Sequence, residues 1–310
     1  MSQLYAEGLS IDEIASQTGR SYYYTREKLL ESGMALRSKA EGTRLYVSRH
    51  PEWSRQFVKH RVVGGEPLTE TKVLLLAMMA TEGYTDETSF GFTNRQDLLH
   101  AEFIGRVRDV YGDVHVGRNG LTSRVSSIEI ARDLAGFLPF KTFNAEALNY
   151  IMKSASTTPK VLRVIADTEG AFIISIKKAK RNFTVESRVV LASSNPRFTA
   201  QIGTLLDAVG IEHRVSSLGA IIYKKSQIAR FIEGVGFTPG VKVVRRKGVV
   251  SNWYGAEKAG LQNLFLKVSF EQKRARAMGI RGCFADCLTR DQTFRRLRSW
   301  YAEVNGGGES

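Results

Sequence analysis

Glu82 and Glu169 each sit in the tripeptide Thr-Glu-Gly at the end of an apolar run, KVLLLAMMATEG in one case and KVLRVIADTEG in the other. The two acids lie 87 positions apart, and the sequence downstream of each also matches: SRVSSIEIARDLAGFLPFK ends at Lys141 and IIYKKSQIARFIEGVGFTPGVK ends at Lys242. Matching stretches at this spacing mark an internal duplication of a whole αβ unit. If the two apolar helices pack together, each delivers one carboxylate to the same end of a shared seam. Two carboxylates about 5 Å apart repel by ~3 kcal/mol at an effective dielectric near 20, so a pair held together needs cations or shared protons. A hard divalent cation meets that need, because Mg²⁺ favours carboxylate, phosphate and water oxygens.

The elements that must position the acids read alike in both halves. Each begins with the apolar helix and continues with two strands, a helix (Leu98 to Tyr111; Pro196 to Val209), two more strands and a closing helix (Ser127 to Phe137; Ser226 to Val235). The halves differ in their first hairpin. Only about ten residues separate Gly83 from Thr93, whereas IISIKKAKRNFTVESRVVLAS in the second half is long enough for a true two-stranded ribbon.

These motifs resemble those of the LAGLIDADG homing endonucleases of the single-chain kind, over residues 70 to 245 or so. The nine-letter motif falls on Leu75 to Gly83 in the first copy and on Leu162 to Gly170 in the second. The resemblance implies an α+β fold of tandem pseudo-symmetric αββαββα units in a monomer with an internal two-fold. It implies a site-specific endonuclease that hydrolyses phosphodiester bonds on both strands of duplex DNA, with Glu82 and Glu169 as catalytic acids and ligands of Mg²⁺ or Mn²⁺, one acid per strand. Lys141 and Lys242, in the corresponding segments GFLPFK and GFTPGVK, are then candidate catalytic cations near the metal; alternatively they are two exposed lysines after a turn. Hairpin ribbons lie in the DNA major groove in this family, which nominates Lys177, Lys178, Lys180, Arg181 and Arg188 as DNA contacts and implies that the first half reads fewer bases. The family packs its motif helices through small residues at the third motif position; here that position holds Ala77 and Val164, which predicts a wider seam. Asp167 fills the sixth position in the second copy only, opposite Ala80, and reads as a polar residue at a helix end, not a third ligand.

Charge points the same way. The 310 residues carry a net +14, and from Val241 to Trp300 there are 14 Lys or Arg against four acids. The runs Arg245, Arg246, Lys247 and Arg295, Arg296, Arg298 recur among aromatic and apolar residues that imply folded structure. A folded, strongly basic surface is the footprint of a polyanion binder. The longest apolar run, Val73 to Met79, is far shorter than the ~20 residues a membrane helix needs, and no secretory signal is visible, so the expected location is cytoplasmic and nucleoid-associated, with no membrane partner. Cys283 and Cys287 are the only cysteines. Four apart on a helix face, they suit a buried structural role better than zinc or a disulfide framework.

Residues 1–33 carry a second signature. Ser10 and Glu13 form a capping box, Ile11, Ile14 and Ala15 an apolar face, and Gly19 a turn; Ser21 caps a second helix with Leu29 and Leu30 facing the core and Gly33 ending it. This resembles a helix-turn-helix, whose second helix would contact DNA through Tyr22, Tyr23, Thr25, Arg26 and Lys28; the alternative is a small helical hairpin that only packs. Residues 34–66 read as a basic connector, 67–150 and 151–248 as the tandem units, and 249–310 as a basic helical extension with a disordered Gly-rich tail. Two other functions fit the same pattern: a DNA-binding regulator that has lost cleavage, and a maturase whose partner is intron RNA.

Overall fold

The computed structural model describes residues 1–50, 65–178, 183–244, 252–280, 282–287 and 289–306. The chain divides into two compact units, residues 1–61 with 113–115, and residues 62–112 with 116–310. Among the described residues, no helix is long and apolar enough to cross a membrane.

In the N-terminal unit, α1 (Ser2–Ala6), α2 (Ile11–Thr18) and α3 (Tyr22–Glu31) enclose a small core of Tyr5, Ile14 and Leu29. The capping box is present: Glu13 N–H donates to Ser10 Oγ at 3.2 Å, and Ser10 N–H donates to Glu13 Oε2 at 2.6 Å. Gly19 takes φ 66°, the left-handed conformation that ends α2 and lets α3 turn across it. The basic connector begins as a helix, α4 (Lys39–Arg49), with a capping box of its own from Ser38 and Glu41. Arg49 donates to the Gly8 carbonyl at 3.0 Å, so α4 belongs to this unit. Residues 51–64 of the connector lie outside the described residues.

The larger unit contains the duplication. The first repeat runs α5 (Glu70–Glu82), β1 (Gly83–Thr85), β2 (Phe90–Thr93), α6 (Asp97–Tyr111), β3 (Gly117–Asn119), β4 (Thr122–Val125) and α7 (Ile128–Phe137). After α8 (Ala145–Lys153), the second runs α9 (Thr157–Glu169), β5 (Gly170–Lys178), β6 (Phe183–Leu191), α10 (Pro196–Ala208), β7 (Arg214–Ser216), β8 (Gly219–Ile222) and α11 (Lys225–Gly234). Each repeat forms an antiparallel four-stranded sheet with the same order, β1-β2-β4-β3 and β5-β6-β8-β7. The expected αββαββα order is therefore present twice. The hairpins differ as expected: β1 pairs with β2 over three residues, β5 with β6 over nine.

The repeats grip each other through equivalent segments. Asn195, which caps α10, donates to the Phe140 carbonyl at 2.8 Å, and Gln201 brackets the Phe143 backbone at 3.0 and 2.7 Å. In the matching place Gln96, before α6, accepts from Lys242 N–H at 2.6 Å. The turn after each closing helix thus lies against the other repeat.

The extension consists of α12 (Lys258–Ala277) and α13 (Arg290–Val304), which pack on each other and on β5. Phe265 of α12 meets Phe172 of β5 with ring centroids 6.0 Å apart. Cys283 and Cys287 are free thiols in a turn segment, not on a helix, and burial pushes the Cys283 thiol up to about 11. The last residues of the tail, 307–310, lie outside the described residues.

One charge is sunk into the first repeat. Lys72 is fully buried, 2.7 Å from Asp133 Oδ2, and also donates to the Glu66 carbonyl; Tyr111 donates to the same Asp133 oxygen at 2.6 Å. The corresponding position in the second repeat is Pro159, which the first turn of a helix tolerates. Removing one partner of a buried pair strands the other charge, so Lys72→Met should lower unfolding free energy by about 3–5 kcal/mol. Adding Asp133→Leu and Tyr111→Phe should restore most of it, as read by chemical denaturation.

Candidate active site

The site is built by the two motif helices. Glu70 is the first residue of α5 and Thr157 the first of α9; Thr157 Oγ1 donates to Glu70 Oε2 at 3.0 Å, and Lys160 Nζ lies 2.5 Å from Glu70 Oε1. Residues 70 and 157 differ by the same 87 positions as the two acids. The helices are equally long, 13 residues each, and meet start to start. They therefore run parallel and in register, and both end on a glutamate. Together with the sheets and helices around them, the paired helices are buried along most of their length: Val73 to Ala80 on α5, and Val161, Leu162, Val164, Ile165 and Ala166 on α9. Both third-position residues, Ala77 and Val164, are buried.

Each acid is followed by a glycine for a steric reason. Gly83 and Gly170 have extended backbones, φ −85° and −78°, which any residue adopts. A Cβ at Gly83 would lie 2.4 Å from Met79 Cα, and one at Gly170 would lie 2.4 Å from the Ala166 oxygen. The first strand of each sheet folds back against the last turn of its helix, and only glycine allows that approach. The preceding threonines act alike as well: Thr81 donates to the Ala77 and Met78 carbonyls at 3.1 and 2.9 Å, Thr168 to those of Val164 and Ile165 at 2.8 and 3.2 Å.

Glu82 and Glu169 line one cavity of about 800 Å³. Its walls come from three sources: the first repeat supplies Arg95 and Gln96, the second Ile173, Ser175 and Arg188, and the extension Trp253, Tyr254, Lys258, Arg290 and Phe294. Two helix C-termini and two carboxylates converge there, and each helix end carries roughly −0.5 of an elementary charge from its aligned peptides. The negative end of the seam thus faces four cationic side chains. Among the described residues, no group of three or more His, Cys, Asp or Glu is placed to hold a metal. A two-carboxylate donor set suits a hard cation of the Mg²⁺ or Mn²⁺ class, which keeps waters and takes substrate phosphate oxygens. Among the described residues it lacks the additional Cys or His ligands with which a zinc site is usually completed.

Several expected site residues fall elsewhere. Lys141 and Lys242 do occupy equivalent turns, but both side chains are exposed and neither lines the cavity. The backbone explains the first: Phe140 and Lys141 take φ 54° and 58°, and this left-handed turn presents the Phe140 carbonyl to Asn195, the cap of α10. Lys242 directs its backbone N–H at Gln96, leaving its neighbour Val243 at the cavity wall. Asp167 does not line the cavity: it accepts from Thr238 N–H at 2.9 Å and Thr238 Oγ1 at 2.6 Å, and burial pushes its carboxyl up to about 6. Of the candidate DNA contacts, Arg188 lines the cavity. Lys177 and Lys178 are exposed on β5, Lys177 paired with Glu186 at 2.6 Å. Lys180, Arg181, Arg245, Arg246 and Lys247 lie outside the described residues.

On α3, Tyr22, Tyr23, Arg26 and Lys28 are exposed. Thr25 is fully buried, its hydroxyl donating to the Ser21 carbonyl at 3.0 Å, so it cannot touch DNA. It stands four residues before buried Leu29 and shares its face. Leu30, one step round the helix, is 46% exposed and does not face the core. Tyr24, not foreseen as a contact, is exposed with the Arg20 guanidinium 5.4 Å from its ring centre. Arg95, Lys258 and Arg290 were likewise not foreseen. For Lys258 the signal was its place on an apolar helical face with Leu261 and Phe265.

Residues 1–44 match a family described as a helix-turn-helix domain. No curated protein matches the chain. Solved structures resembling the fold include meganucleases at low identity. I-SmaMI, a meganuclease bound to uncleavable DNA, is 12% identical over 80% of this chain and 100% of its own, with a TM-score of 0.43. I-AabMI, a LAGLIDADG meganuclease bound to uncleaved DNA, is 15% identical over 77% of this chain and 100% of its own, with a TM-score of 0.44. Full-length DUF199/WhiA from Thermatoga maritima is 10% identical over 79% of this chain and 95% of its own, with a TM-score of 0.34.

The glycine requirement is directly measurable. Gly83→Ala and Gly170→Ala should each lower thermal stability, because the new methyl overlaps backbone that cannot move aside. Gly105→Ala on α6, where a Cβ meets nothing within 4 Å, is the control and should gain roughly 0.5–1 kcal/mol in calorimetry.

Proposed function

We propose that the protein is a site-specific endonuclease of the homing type, acting on duplex DNA with Mg²⁺ or Mn²⁺ held by Glu82 and Glu169. The observation that supports this most is the delivery of both acids, by equivalent ends of two parallel helices, to one cation-lined cavity. A metal held there would supply electrophilic stabilisation of the pentacoordinate phosphate and of the leaving oxygen. The chain's own part is to hold two carboxylates rigidly on helix ends, one for each DNA strand. Arg95, Arg188 and Arg290 face the same space and would neutralise phosphates, which positions the duplex without reading bases. The long second hairpin and α3 are the groove readers, α3 through Tyr22, Tyr23, Arg26 and Lys28. The short first hairpin reads less. The protein works as a monomer, its two repeats doing the work of two subunits.

One observation favours a second reading, a DNA-binding regulator without cleavage. The extension contributes Trp253, Tyr254 and Phe294 to the wall of the cavity that holds the acids, so aromatic side chains lie where a phosphate site needs donors.

A cleavage assay separates the two. Glu→Gln is nearly isosteric but removes the charge a hard metal needs. Glu82→Gln and Glu169→Gln should each abolish double-strand cleavage on a selected target in Mg²⁺ or Mn²⁺, leaving at most nicking, while affinity measured in Ca²⁺ stays within a few-fold or improves. Tight binding by the wild-type protein with no cutting in either metal would promote the regulator. Survival of cleavage in the double substitution would show that the acids are misassigned.

Deleting residues 1–49 should shorten the footprint on that target and leave the larger unit folded, because a recognition helix extends the protected site. Equal protected lengths for both proteins would remove α3 from the list of readers.

A further inference from the structure

Lys258 is the first residue of α12, outside both repeats, yet it is only 5% exposed. Its ammonium donates to the carbonyls of Ala166 and Asp167 at 3.0 and 2.7 Å and lies 5.4 Å from the Phe237 ring centre. Those carbonyls belong to the last turn of α9, where few intrahelical donors remain; the Ala166 carbonyl also accepts from Gly170 N–H. Two and three residues further on is Glu169, and Lys258 and Glu169 line the same cavity. Burying an ammonium is costly without strong acceptors. Here the acceptors are the negative end of a motif helix.

We propose that Lys258 is a positioning residue for the second acid. By spanning two carbonyls it fixes the final turn of α9, and hence the backbone from which Glu169 projects, and it offsets the helix-end potential that opposes a carboxylate there. The support is one-sided. Among the described residues, the matching carbonyls of Met79 and Ala80 on α5 receive no lysine, so Lys258 has no described counterpart in the first repeat. The inference rests on reading Glu169 as a metal-holding carboxylate, and its consequence is an asymmetry between the two DNA strands.

The test uses the full chain with Lys258→Met and Lys258→Arg. Hydrogen exchange is followed by mass spectrometry over Val164–Phe172 and Ala77–Thr85, and single-turnover cleavage is followed on a duplex labelled separately on each strand. In Lys258→Met, exchange at the end of α9 should rise at least roughly tenfold while the end of α5 is unchanged, since opening is local. Cleavage of one strand should fall roughly 10–100-fold with the other changed by less than about threefold, as when support for a ligating group is lost. Lys258→Arg, which keeps the charge and donors, should recover most of both. Loosening of both helix ends together, no loosening of either, or equal loss on both strands would overturn the positioning role. If the wild-type protein cuts neither strand, the endonuclease reading fails and the exchange comparison alone decides the role of Lys258. Should the methionine variant not fold, Lys258→Gln carries the same comparison.

Discussion

The structure depends on two helices packed in parallel and in register. Antiparallel neighbours place opposite dipole ends together; α5 and α9 do the reverse and stack two negative ends, each finished by a glutamate. That arrangement is unfavourable until something offsets it, and the rest of the larger unit supplies the offsets. At the far end, Lys160 and Thr157 meet Glu70 and fix the register. Along the seam, an apolar interface with almost no solvent contact supplies the attraction. At the near end, a buried lysine and three arginines line the same cavity as the acids.

Much of this was legible in the residues. The periodicity of KVLLLAMMATEG and its repetition at a fixed interval identify two equivalent helices, and the matching downstream segments give closing helices within a residue or two of α7 and α11. The contrast between the hairpins follows from loop length alone. What stayed hidden involves tertiary partners. Nothing local says that Lys141 leaves on a left-handed turn, because the partner of that turn is the Asn195 side chain of the other repeat, which donates to the Phe140 carbonyl. Thr25 was legible in principle through its i, i+4 relation to Leu29, but a polar residue on a basic helix reads as a contact until burial is counted. Lys258 meets α9 from 91 positions away, a distance no motif spans.

Duplication has left the halves unequal in a consistent direction. The first repeat keeps a buried ion pair, Lys72 with Asp133, where the second has Pro159. The second has the longer ribbon, the Asp167–Thr238 clasp and the packed extension. Each repeat thus stabilises its motif helix by local means of its own, while the feature they share, a glycine pressed against the last helical turn, is enforced by backbone contact and tolerates no substitute.

The reciprocal grip of the turns carries a historical consequence. Phe140 against Asn195 and Lys242 against Gln96 join corresponding segments, the turn after a closing helix and the residue capping the other repeat's middle helix, through different hydrogen bonds, each arm reaching out of its own repeat into the other. Contacts of this kind need no covalent link between the halves. Two separate copies of one αββαββα chain could have exchanged arms in trans as a symmetric dimer. On this view the α8 segment is a late tether, added to an assembly whose geometry was already complete. Fusion released the two copies from identity, and a tail such as α12 and α13 could then grow on one side only.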